Sequence, residues 1–160
     1  MKSKPSMQES LINNDGYNKG NSKPHVGLIW LLVKVMYYLD AAFVDGQAAA
    51  AMVVRDDRGH LLYLASKLFT CVSAFVAEAE ALLWASEYAK RGNWSRVEWE
   101  TDSKEVEKAG RSEKEPTCWY AFHSICNICR YFVDPGWSLN WKSRRSNAVA
   151  DAVAKMSFIC

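Results

Sequence analysis

The chain has 160 residues, is 49% apolar with seven Trp, and carries a formal net charge of only +2. Such a chain supports one domain with a real core, and excludes a disordered polymer or a histone-like binder that works by charge alone. Its five Cys are odd in number, and no signal-like apolar core precedes them, so a reduced intracellular setting, nucleus or cytoplasm, is expected rather than secretion.

Residues 1–26 are rich in Ser, Asn, Lys, Gly and Pro and read as a flexible polar arm, with residues 27–160 as the folded domain. Leu28 to Leu39 is apolar but for Lys34. A membrane span needs about 20 such residues, so a core strand from about Ile29 to Phe43 is expected and no membrane partner. Asp40 then stands as a carboxylate at the end of an apolar strand, which is costly unless something compensates it. Val44-Asp45-Gly46-Gln47 turns the chain into a second strand, Ala48 to Arg55. Its four successive alanines have poor strand propensity, and context carries that assignment. Asp56-Asp57-Arg58-Gly59 makes another hairpin turn, into a third strand from His60 to Leu68.

Ala74 to Arg91 follows as a long helix ended by Gly92 and Asn93. Its spacing puts Glu78 on the apolar stripe with Ala81, Leu82, Ala85 and Ala89, and leaves Glu80 as solvated charge. Arg96 to Thr101 alternates as a fourth strand closed by Asp102, and Ser103 to Arg111 reads as a short helix. Asp102 with Glu105 also fits a helix-capping pair. A helix from Thr117 to Phe132, a turn at Asp134-Pro135-Gly136 and a fifth strand from Trp137 to Trp141 come next. The Cys126-x-x-Cys129 pair has no second pair and reads as packing rather than zinc. Trp119 and Trp141 are expected in the core. The basic loop Lys142-Ser143-Arg144-Arg145-Ser146 leads to Asn147, a suitable cap for a last helix from Ala148 to Phe158. Lys142, Arg144 and Arg145 read either as a solvated loop or as phosphate contacts, with Asn147 beside them as a further nucleic-acid contact.

Hairpins followed by helical crossovers give an α/β fold. The expectation is a five-stranded mixed sheet, three strands antiparallel and two further strands parallel, flanked by helices. In it Asp40 and Asp102 end neighbouring strands, the first helix aims Glu78 at them, and the last helix brings Asp151. Such carboxylates repel unless a cation sits among them, and oxygen-only ligands suit Mg²⁺ or Mn²⁺. Two ions about 3.5 to 4 Å apart would suit phosphodiester cleavage.

Five stretches carry a resemblance. They are Leu39-Asp40-Ala41-Ala42-Phe43, Val53-Val54-Arg55-Asp56-Asp57-Arg58-Gly59, Ala77-Glu78-Ala79-Glu80-Ala81-Leu82-Leu83, Glu100-Thr101-Asp102-Ser103 and Asn147 to Lys155. In this order they resemble the ribonuclease H type-1 domain, in the plant retroelement-like form found beside reverse transcriptases. The resemblance implies a ribonuclease H-like fold and an Asp-Glu-Asp-Asp site at Asp40, Glu78, Asp102 and Asp151. It further implies hydrolysis of the RNA strand of an RNA·DNA hybrid with two Mg²⁺ or Mn²⁺ ions. Asp45 is set aside as the first aspartate because it sits in turn chemistry. The family's loop histidine is missing before Asp151, so the alternative is a weak or inactive nucleic-acid-binding module. A monomer is expected.

Overall fold

The computed structural model describes residues 9–11, 34–112 and 119–159. The central hairpin is β2 (Val35–Val44) and β3 (Gln47–Asp56). Asp45 and Gly46 join the two strands with φ of 49° and 79°. Two successive residues at positive φ make the tight turn whose twist matches that of its strands. Asp45 is exposed in this turn, away from the acidic residues described below. Strand β4 (Leu61–Thr70) pairs antiparallel with β3. Strand β5 (Val97–Thr101) pairs parallel with β2, and β6 (Trp137–Trp141) parallel with β5. The mixed five-stranded core therefore runs β4-β3-β2-β5-β6, as expected from the sequence.

A sixth strand departs from that expectation. Within the stretch read as a flexible arm, β1 (Glu9–Leu11) pairs antiparallel with the outer edge of β4. An edge strand offers unpaired backbone groups to any extended segment that reaches it, whatever that segment's composition. The rest of the arm, and the expected start of the first core strand at residues 29–33, lie outside the described residues.

Helix α1 (Ala74–Arg91) has the expected bounds and is capped by Ser73, whose hydroxyl accepts from the Val76 N–H. The chain leaves it through Asn93 at φ 54°, so the asparagine rather than Gly92 takes the left-handed position. Helix α2 (Lys104–Gly110) is capped by Ser103, not by Asp102, which frees that carboxylate for other work. A 3-10 turn (Trp119–Ala121) leads into α3 (Phe122–Tyr131); residues 113–118 lie outside the described residues. Another 3-10 turn (Arg144–Asn147) precedes α4 (Ala148–Met156).

The main core joins one sheet face to α1, α2 and α3. It contains Tyr37, Leu39, Met52 and Trp99 from the strands, Leu82 from α1, Val106 from α2, and Ile125 and Ile128 from α3. Helix α4 packs on β2 and β3 through buried Ala150 and Ala154, outside that cluster. The alanines of β3, Ala48 to Ala51, are almost fully buried whichever way they point. Covered on both sides, the strand needs small residues more than high propensity, which is why an alanine run serves.

Two tryptophans leave their expected places. Trp119 is 83% exposed with Tyr120 beside it, and Trp141 is 40% exposed. Trp141 instead donates its indole N–H to the Asp102 carbonyl, and the Lys104 ammonium lies over its ring. Cys129 packs as expected, its thiol near the Ala109 and Gly110 carbonyls.

Candidate active site

The parallel register of β2 and β5 pairs Leu39 with Thr101. The next residue in each is an aspartate, so Asp40 and Asp102 meet where that parallel pairing stops. Asp40 is thus midway along β2, not at its end as the sequence suggested, because β2 runs on to Val44 against β3, and Asp102 lies just past β5. Glu78 arrives from α1, one turn beyond its cap, and its carboxylate accepts from the Ala41 N–H at 3.4 Å. Oxygens of Asp40, Glu78 and Asp102 all lie within 4.8 Å of one another. Asp151, in the first turn of α4, does not join that group but lies near enough to Asp40 to act on its carboxyl. Lys155 holds the other side of Asp151 at 2.6 Å.

Asp40 is 1% exposed, and its Oδ1 has no partner among the described residues. Burial, then the Asp102 and Asp151 charges, push its carboxyl up to about 7. Glu78 is pushed up to about 9, first by burial and then by Asp40 and Asp102. Asp151 goes the other way, held below the ordinary carboxylate range by its bond to Lys155. An orphaned buried oxygen, clustered oxygen-only donors and carboxyls that ionise reluctantly all fit a divalent cation.

This has a consequence for stability. In an unfolded chain Asp and Glu ionise near about 4. Between that pH and about 9, the folded state therefore holds protons that the unfolded state has lost. The metal-free protein is expected to lose stability as pH rises through this window. Added Mg²⁺ should raise the melting temperature more at pH 8 than at pH 6, because it binds the deprotonated carboxylates. Thermal melts at the two pH values, with and without Mg²⁺, check this; a metal-free protein more stable at pH 8 would contradict it.

The basic loop divides. Arg144 donates from Nε to the Asp102 carboxylate at 2.9 Å, an ion pair that holds its guanidinium above its ordinary range. Lys142 stands 4.0 Å from Glu100, and Arg145 is exposed. Asn147 is buried and caps nothing with its side chain: its amide donates to the Leu39 carbonyl, one residue before Asp40. It ties the start of α4 to the strand that carries Asp40. Glu80 is also unlike its sequence reading: it is half-buried and accepts from Ser124 on α3. Helical period showed which side it faces but not that α3 packs there.

The profile of the reverse transcriptase-like family matches residues 39–157, from the residue before Asp40 to the end of the last helix. The chain belongs to the reverse transcriptase-like family. No curated protein gave a significant match. Among solved structures, this reverse transcriptase-like domain is similar to RNase H1 of the halophilic archaeon Halobacterium salinarum NRC-1. Identity is 23% and TM-score 0.71, over 78% of this chain and 97% of that one. It is also similar to LC11-RNase H1, isolated from compost by a metagenomic approach and solved in complex with an RNA/DNA hybrid. That match has 24% identity and TM-score 0.66, over 77% of this chain and 95% of that one. The N-terminal RNase H domain of Rv2228c from Mycobacterium tuberculosis matches at 20% identity and TM-score 0.68, over 77% and 91%. At these identities the likeness establishes an RNase H fold for the reverse transcriptase-like domain.

Proposed function

We propose that this domain is an endoribonuclease, dependent on a divalent metal, that hydrolyses the RNA strand of RNA·DNA hybrids. The observation that carries the reading is the meeting of Asp40, Glu78 and Asp102 within 4.8 Å where the parallel pairing of β2 and β5 stops. Mg²⁺ or Mn²⁺, as two ions held by Asp40, Glu78, Asp102 and Asp151, would supply Lewis-acid stabilisation of the phosphate and an activated water. The chain's own residues do the rest. The middle of β2 fixes Asp40, the end of β5 fixes Asp102, α1 fixes Glu78, and Asn147 ties the start of α4 to β2, which keeps Asp151 near Asp40. Lys142, Arg144 and Arg145 at the rim supply positive charge for backbone phosphates. Choice of hybrid over duplex DNA rests on 2′-hydroxyl contacts across a shallow minor groove. The half-buried free thiols of Cys71, Cys126 and Cys129 suit a reduced compartment inside the cell.

The test is a comparison of labelled RNA·DNA hybrid, single-stranded RNA and duplex DNA as substrates with Mg²⁺. The RNA strand of the hybrid should be cut, the DNA left whole, and EDTA should stop the reaction.

Two observations favour a second reading, a module that binds nucleic acid without cutting it. The Arg144 guanidinium sits on Asp102, where a cation would bind, and the loop before Asp151 has no histidine. Hybrid binding by a folded protein that cuts nothing in either metal would decide for that reading.

A further inference from the structure

The acidic cluster already has a positive charge on it. Arg144 reaches Asp102 from the 3-10 turn before α4, and its charge is also felt at Asp40, Glu78 and Asp151. Its side chain is 68% exposed, whereas that of Asp102 is 8% exposed. The guanidinium is therefore free to swing on a long stem, while the carboxylate it meets is fixed. Two cations, Arg144 and Lys155, face the four carboxylates in the described residues, and they differ in kind. Lys155 pairs with Asp151 within one helix, four residues on, outside the group of three carboxylates that meet within 4.8 Å. Arg144 crosses from another element and lands on a carboxylate that belongs to the cluster itself.

We infer that Arg144 is a displaceable counter-ion: it neutralises Asp102 while the site lacks metal, and a divalent cation that takes Asp102 releases the guanidinium to bind a nucleic-acid phosphate. This rests on the proposed metal site and adds to it an order of events. The Nε–H spent on Asp102 is lost to a phosphate, which is left with the Nη groups alone, so release from Asp102 strengthens phosphate capture. A cation on Asp102 removes the attraction that holds the arginine and repels it as a like charge. Metal loading and phosphate capture are thereby coupled through one side chain. The coupling favours nucleic acid on the loaded site over the empty one. By the reciprocity of linked equilibria, bound nucleic acid must then favour metal.

The experiment is a Mg²⁺ titration without nucleic acid, on the wild-type protein, Arg144→Ala and Arg144→Lys. It is followed by calorimetry and by the ¹⁵N signal of the arginine Nε–H groups. Arg144 is exposed, so neither substitution threatens the fold. Arg144→Ala is expected to bind Mg²⁺ about two- to fivefold more tightly, the size an exposed ion pair allows, with Arg144→Lys in between. In wild type the Arg144 Nε–H signal should move along the same binding curve as the Asp102 and Ala41 amides. Hybrid affinity should fall on Arg144→Ala when Mg²⁺ is present, and change little when it is absent. If wild type and Arg144→Ala bind Mg²⁺ equally, or the alanine variant binds more weakly, the inference falls and the metal site stands. If none of the three binds Mg²⁺ at millimolar concentration, the proposed function falls and takes the inference with it.

Discussion

Asp40→Asn should lower metal-dependent cleavage by about a thousandfold, while leaving the metal-free protein at least as stable as before. Two arguments meet at this residue. Asp40 is the most buried member of the cluster: it lies within reach of Glu78 and Asp102, and the Asp151 charge acts on it as well. An amide of the same shape keeps the packing and removes the negative oxygen that a cation needs. Metal-assisted stabilisation of a transition state is worth several kcal/mol, and each 1.36 kcal/mol is tenfold in rate, which sets the size of the loss. The stability effect runs the other way. Burial and like charges penalise the Asp40 carboxylate above about pH 7, and a neutral amide carries no such penalty. Paired measurements of cleavage rate and urea midpoint at pH 8 check both halves. A variant that cuts normally would remove Asp40 from the site, and one that unfolds would make it a structural residue.

Trp99→Ala should cost about 3–5 kcal/mol, a large part of the 5–15 kcal/mol that holds a domain together. Trp99 is fully buried on β5 and is the hub of the aromatic core. Its ring lies 4.4 Å from that of Tyr37 on β2, 5.1 Å from Trp137 on β6 and 5.7 Å from Phe132 beyond α3, centroid to centroid. Three elements converge on one side chain, so they cannot collapse into the cavity without shifting the sheet register. Asp102 stands three residues further along the same chain, and its placement depends on that register. Urea unfolding should show a much lower midpoint at unchanged slope. A loss below about 1.5 kcal/mol would mean that the core repacks, and that Trp99 is not its centre.

What the sequence made legible follows from how local the signal was. Helix α1 and strand β6 have the expected ends because cap residues and apolar period mark them within a few positions. Asp40, Glu78 and Asp102 were legible as a set because each is a carboxylate where the local pattern calls for an apolar residue or an element end. Charge partners were not legible. Arg144 read as part of a solvated or phosphate-binding loop, yet it reaches a carboxylate 42 positions away. Asn147 read as a helix cap, yet its amide goes to a carbonyl 108 positions away. Glu80 read as solvated until α3 brought Ser124 against it. Each of these depends on which elements pack together, and spacing along one element does not carry that. Trp119 failed for a different reason. Its aromatic ring suggested the core, but the core beneath α3 is filled by Ala121, Ile125 and Ile128, and the 3-10 turn carries Trp119 outward.

The most direct test of the account is cleavage of an end-labelled RNA·DNA hybrid by the wild-type protein in Mg²⁺ or Mn²⁺, beside Asp102→Asn. Asp102 takes no part in capping α2, so this substitution tests the site and spares the fold. The account predicts metal-dependent cutting of the RNA strand by wild type, abolished in the variant while its circular dichroism stays unchanged. Equal cutting by both proteins, or none by a folded wild type in either metal, would contradict it.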